Sequence, residues 1–121
     1  NPVAMSAGLA TLTQLKKHPE IYSYTSKLAE ELADGFRKAL PYTVNQVGSL
    51  LSVFFTQQPV TDYESAKSSD TSKYASYFHN MLEHGIYLAP AQFEAMFVSN
   101  AHTEDEIRYT IKAAKKLGGE I

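Results

Sequence analysis

Between two prolines, Pro19 and Pro41, the chain sets Ile21, Tyr24, Leu28, Leu32, Phe36 and Ala39 at spacings of three and four. That period places all six on one face of an α-helix and leaves Lys27, Glu30, Glu31 and Asp34 mostly outside. Pro19 has no amide hydrogen and disfavours helix at His18, so it separates this helix from whatever precedes it, and Pro41 ends it. The next stretch, "YTVNQVGSLLSVFFTQQP", changes to β-branched and aromatic residues. It reads as two short strands, about 43–47 and 50–56, meeting at Gly48. Phe54 and Phe55 are adjacent, so both faces are covered if the second strand is internal.

The remaining elements follow from their end signals. "PVTDYESAKSSD" (59–70) reads as a polar, exposed connection rich in turn formers. A third helix spans about 71–84, with Tyr74, Tyr77, Phe78, Met81 and Leu82 inward and Gly85 placed to stop it in the left-handed conformation. "IYLAP" (86–90) and "AMFVS" (95–99) read as short strands or extended segments. Thr103 and Glu106 match a capping box. The helix they open has the stripe Ile107, Thr110, Ile111, Ala114 and Leu117, and Gly118-Gly119 closes it. The expected fold is α+β: a small, largely antiparallel sheet packed by helices.

At the start, Asn1 suits an N-cap and Pro2 a first helical turn. The small residues Ala4, Ala7, Gly8 and Ala10 predict close packing of that first helix against another element. The chain opens in helix-forming sequence without an initiator Met, as a piece of something longer would. Residues 1–18 are therefore expected to be a connecting helix, and 19–121 a small α+β domain.

With 121 residues, 44% hydrophobic and 20% charged, the chain can bury a core and is not disordered. No apolar run approaches the ~20 residues that cross a bilayer, and no signal peptide is visible. The absence of cysteine excludes disulfides, thiolate metal sites and a catalytic Cys, and fits a reducing, cytoplasmic setting. A net charge of −2 argues against nucleic acid as a partner. Lys112, Lys115 and Lys116 complement a helix dipole.

Few residues suggest chemistry by spacing alone. His79 and Glu83 share a helix face, yet no second His or HExxH pattern completes a metal site, so a solvated ion pair is expected. His102, just before the Thr103 cap, is expected to pack or hydrogen-bond at the helix start. Gly48-Ser49 is a turn, no serine lies in a nucleophile elbow, and the eight tyrosines are expected mainly in the core. Glu94 is the exception. It stands between Phe93 and the run Ala95, Met96, Phe97, Val98, whose members look buried, and a buried carboxylate needs a partner, a shifted pKa or a wet cavity. General priors favour an acid that reaches out from the loop after Pro90 to a backbone amide or surface cation.

Longer motifs add to this. "NPVAMSAGLATL" resembles the segment that closes the large cofactor domain of class III pyridoxal-phosphate-dependent aminotransferases. With "VNQVGSLLSVFFT", "DYESAKSSDTSKYASYFHNMLEHGIYLAP", "QFEAMFVSNAHTEDEI" and the final helix, essentially the whole chain resembles the glutamate-1-semialdehyde 2,1-aminomutases within that family. The resemblance implies the C-terminal small domain of a fold-type-I enzyme. It also implies pyridoxal 5′-phosphate in the full-length protein, a homodimer, and conversion of glutamate 1-semialdehyde to 5-aminolevulinate for tetrapyrroles through a diamine intermediate.

The resemblance places the Schiff-base lysine upstream, so no catalytic residue and no bound cofactor are expected in this chain alone. Asn1 and Pro2 match the end of a cofactor-proximal Thr-Leu-Ser-Gly-Asn-Pro segment. Glu94 matches the acid of the Phe-Glu-Ala motif on the substrate side, where it would meet the substrate's amino group. Two positions depart from the pattern and bear on fine pocket geometry: Ala91, where Ser is usual, and Met96, where a smaller residue is usual. Another class III aminotransferase would carry an Arg or a neutral residue in place of Glu94. A stand-alone α+β binding or regulatory module would start with its own Met.

Overall fold

The computed structural model describes residues 1–118. Two helices lead, α1 (Pro2–Lys17) and α2 (Glu20–Ala39), followed by strands β1 (Thr43–Val47) and β2 (Leu50–Phe54). A short α3 (Tyr63–Ala66) and α4 (Thr71–Glu83) come next, then β3 (Met96–Phe97) and α5 (Glu104–Leu117). The three strands form one antiparallel sheet in the order β1-β2-β3. The architecture is the α+β arrangement expected from the sequence, with α2 at its centre.

Leu28, Leu32 and Phe36 of α2 are buried with Ala29 and Ala33, and Ile21, Tyr24 and Ala39 flank them half-buried. Full burial of a Leu or Phe side chain is worth about 1.5–3 kcal/mol, so this one stripe accounts for much of the cohesion. Its first cover is the inner face of the sheet. Val44 pairs with Val53, and Gln46 with Leu51, which pairs in turn with Met96. The second cover is α5, whose Ile107, Ala114 and Leu117 are buried. At the crossing, Gly35 of α2 leaves room for Ile111, and a methyl group there would meet that side chain well inside van der Waals contact. Lys27 reaches across to Glu104 at 3.0 Å, but this pair is exposed and adds little.

A satellite of aromatic rings joins α4 to the sheet. Phe55 has its ring 4.3 Å from Tyr42, 5.5 Å edge-on from Tyr74 and 5.2 Å from Tyr77. α4 is capped by Asp70, whose carboxylate accepts from the amides of Ser72 and Lys73, and Asp70's own N–H donates to Phe55 O. Gly85 follows the helix with φ +75°, as its position predicts. In α5, Thr103 and Glu106 form the expected capping box. Gly118 follows in helical conformation, and Gly119 lies outside the described residues.

Several expectations are corrected. α1 is capped by the Asn1 side chain but buries none of its residues, because nothing in the described chain lies against its small-residue face. The segment 59–70 is not merely a connection: Asp62 and Ser65 cap each other around the one-turn α3. The loop before it is pinned to β1 by Thr43, which donates to Gln58 O, and by Asn45, which donates to Val60 O. Of the two readings open for 86–90 and 95–99, short strand or extended segment, only Met96–Phe97 takes the strand and pairs with the sheet. Among the described residues His79 and Glu83 make no ion pair, both being exposed and free to solvate separately. Tyr22, Tyr63, Tyr87 and Tyr109 are exposed, so only part of the tyrosine set is core. On the outer sheet face, Val47, Leu50 and Phe97 lie in register across all three strands and are all exposed.

Two outcomes follow from this packing. Gly35→Ala should lower stability by about 1–2 kcal/mol, since overpacking (about 1–3 kcal/mol) outweighs the helix-propensity gain of about 1 kcal/mol. Urea midpoints of the single variants and of the pair with Ile111→Ala should show the two losses to be far from additive. Burial pushes the Tyr74 phenol up to about 12, with the nearby charge of Glu94 adding to it, and burial pushes Tyr77 higher still. The folded chain thus holds phenol protons that the unfolded chain releases near pH 10. Stability contributed below pH 10 should decline as pH rises from there toward 12. An ultraviolet phenolate titration should show delayed ionisation, with one delayed group missing in Tyr74→Phe.

Candidate active site

The segment from Ile86 to Val98 has little regular structure, yet it is tied down at three places. Leu88 is buried, and the Tyr74 hydroxyl donates to Ala89 O at 2.5 Å. The side chain of Gln92, 4% exposed, donates to Val53 O at 2.7 Å and accepts from the Phe55 amide at 3.0 Å. Beyond it, Met96 and Phe97 pair with Leu51 and Leu50, and the Val98 amide donates to Ser49 O at 2.9 Å. A loop fixed in this way can present a side chain with little entropic penalty.

The side chain so presented is Glu94. Its own amide closes a turn on Ala91 O at 3.1 Å, and its side chain is exposed. Among the described residues its carboxylate takes part in no hydrogen bond and no ion pair. This corrects two expectations. Phe93, Ala95 and Phe97 are exposed and only Val98 is buried, so Glu94 is not an acid in an apolar interior. Nor does it reach back to a backbone amide or a surface cation.

Glu94 borders a cleft of about 300 Å³ whose floor is Leu32, Leu51, Leu88, Met96, Val98 and Ile107. His102 and Glu106 also line it. Both are engaged: the His102 ring accepts the Ser99 amide at 3.0 Å, its carbonyl accepts the Tyr24 hydroxyl, and Glu106 accepts the Thr103 amide at 2.7 Å. That hydrogen bond holds the Glu106 carboxyl below its usual range. His102 thus does what its place before the cap predicts. The cleft is apolar at its base and negative at its rim, with one uncommitted carboxylate. Such a surface suits an ammonium group on a small molecule.

The same lining is unsuited to an aldehyde-bearing anionic cofactor. It contains no Lys to form an imine and no Arg. The helix start beside it carries Glu104, Asp105 and Glu106, which oppose a phosphate. No cofactor step is assigned to this chain. Among the described residues no group of His, Asp and Glu is placed to hold a metal. Asn1 and Pro2, the other positions singled out by motif, do not line the cleft; the Asn1 side chain accepts the Val3 amide at 2.9 Å and caps α1. Sequence does not single out Gln92, because a lone amide in a loop has no periodic signature. The signal available was its place two residues before an acid in an otherwise apolar stretch.

No family model matches the chain. Curated relatives do. The glutamate-1-semialdehyde 2,1-aminomutase of Ruminiclostridium cellulolyticum is 58% identical over 96% of this chain and 28% of that protein. The enzyme of the same name from Alkaliphilus oremlandii is 50% identical over 100% of the chain and 28% of its own length. Among solved structures, one described as a transaminase with PLP bound superposes with a TM-score of 0.77 at 29% identity, covering 99% of this chain and 27% of that one. The chain therefore spans about 28% of the length of the curated relatives it matches. By sequence and fold together, the chain matches the C-terminal part of proteins named glutamate-1-semialdehyde 2,1-aminomutase and shares its fold with a transaminase that has PLP bound.

Proposed function

We propose that this chain supplies the substrate-side wall of a glutamate-1-semialdehyde 2,1-aminomutase, an isomerase that forms 5-aminolevulinate for tetrapyrroles. Residues 19–121 are its small domain and residues 1–18 the connecting helix, which agrees with α1 burying nothing of its own. The full-length protein would act as a cytoplasmic homodimer. Pyridoxal 5′-phosphate, bound by residues outside this chain, would supply the electron sink for moving an amino group between neighbouring carbons. Asn1 and Pro2 would be the end of its cofactor-proximal segment. Among the described residues no helix is long and apolar enough to cross a membrane. The identity to named aminomutases supports this reading.

The observation that carries the site assignment is the unpaired carboxylate of Glu94 on a fixed loop above an apolar cleft. A fixed negative charge there binds and orients the ammonium form of the substrate's amino group, retaining it while the nitrogen changes position. Ala91 and Met96 shape the same loop. Met96 lines the cleft, so its bulk narrows the floor, whereas Ala91 brings no side-chain hydroxyl to the turn that carries Glu94.

The test is Glu94→Gln in a full-length enzyme carrying this chain as its C-terminal segment. A hydrogen bond to a charged group is worth about 1.5–3 kcal/mol, so turnover or retention should fall about ten- to hundredfold. The unfolding midpoint should barely move, because an exposed side chain without partners contributes little to stability. Unchanged kinetics with lowered stability would remove Glu94 from the substrate site.

A further inference from the structure

The short β3 leaves part of β2 unpaired by main chain, and a side chain completes it. In the observed register Leu51 faces Met96 and Leu50 faces Phe97. Moving two residues along β2 to Val53 moves two residues back along the other strand, to Glu94. A continued ladder would therefore draw the Glu94 peptide against Val53. Instead the chain leaves the sheet before Met96, and the Glu94 amide turns back to Ala91 O. The Gln92 side-chain amide takes the vacated place, bonding Val53 O and the Phe55 N–H. Val53 lies in β2 and Phe55 just past its end, two residues on, where a continued strand would turn both groups to the same edge. A primary amide can satisfy both at once because it is donor and acceptor together.

We propose that Gln92 is a positioning residue for Glu94. By occupying the ladder site it keeps Glu94 out of the sheet, in the turn that aims its carboxylate over the cleft. This rests on the substrate role of Glu94 proposed above and adds the device that sets its geometry. Without the amide, two backbone groups at the buried end of β2 lack partners. For Val53 O the nearest replacement is the Glu94 amide, with β3 zipping two residues further and pulling Glu94 out of position.

The experiment is a double-mutant cycle in a full-length aminomutase carrying this chain as its C-terminal segment. Gln92→Met keeps the volume and removes both hydrogen bonds. A displacement of about 1 Å at a substrate contact can cost about a hundredfold, so kcat/KM should fall about ten- to hundredfold in the parent. In the Glu94→Gln background the same change should cost less than about threefold, because there is no acid left to misplace. Equal losses in both backgrounds, or full activity of Gln92→Met, would overturn the proposal while leaving Glu94 in the site. Full activity of Glu94→Gln would overturn both, and that outcome is separately visible.

A second variant covers the case in which Gln92→Met does not fold. In Gln92→Glu the carboxylate accepts the Phe55 N–H but cannot donate to Val53 O. Its protonated form does both, as the amide does. Activity relative to the parent should therefore recover as pH falls. A ratio that stays flat with pH would overturn the proposal.

Discussion

Burial of one helix face organises this chain. The stripe of α2 needs two covers, and the two that exist, the inner sheet face and α5, come from opposite ends of the sequence that follows it. Because α2 lies between them, the sheet and α5 are held in fixed relation without touching extensively. The cleft is the gap that this arrangement leaves, lined by Leu32 of α2, Leu51 of the sheet and Ile107 of α5. A substitution at the Gly35 crossing would shift a cleft wall even though neither residue there touches the cleft.

The fold was legible where burial and periodicity coincide. The stripe of α2, the Thr103 cap and the hairpin at Gly48 leave local marks, since each depends on residues within one or two turns of each other. The inaccurate expectations share another cause. Small residues in α1 mark close packing, but they do not say that the partner lies within the chain. Phe93, Ala95 and Phe97 are apolar, yet apolar residues are common on protein surfaces, and a short run cannot show which side faces water. The one-turn α3 rests on a reciprocal Asp62–Ser65 cap, a pattern too short to stand out beside turn formers.

The site was legible only in part. Glu94 stands out in sequence through apolar neighbours that the fold leaves exposed, while the Phe-Glu-Ala motif marks the same residue independently. What no local pattern contained was its support. Gln92 acts on Val53 and Phe55, 39 and 37 positions away in sequence, and the Tyr74 hydroxyl crosses 15 positions to Ala89. Such contacts are decided by how the strands register, which is a property of the assembled sheet. The physical order is therefore sheet first, loop second, carboxylate last.

The outer row of Val47, Leu50 and Phe97 has a practical consequence for handling the chain by itself. Dyes such as ANS brighten on exposed apolar surface, and their fluorescence commonly serves as a mark of loosened, molten packing. Here a fully ordered sheet presents that surface in its native state. Dye fluorescence would report the intact face, and only loss of near-ultraviolet circular dichroism would separate a folded sample from a loosened one.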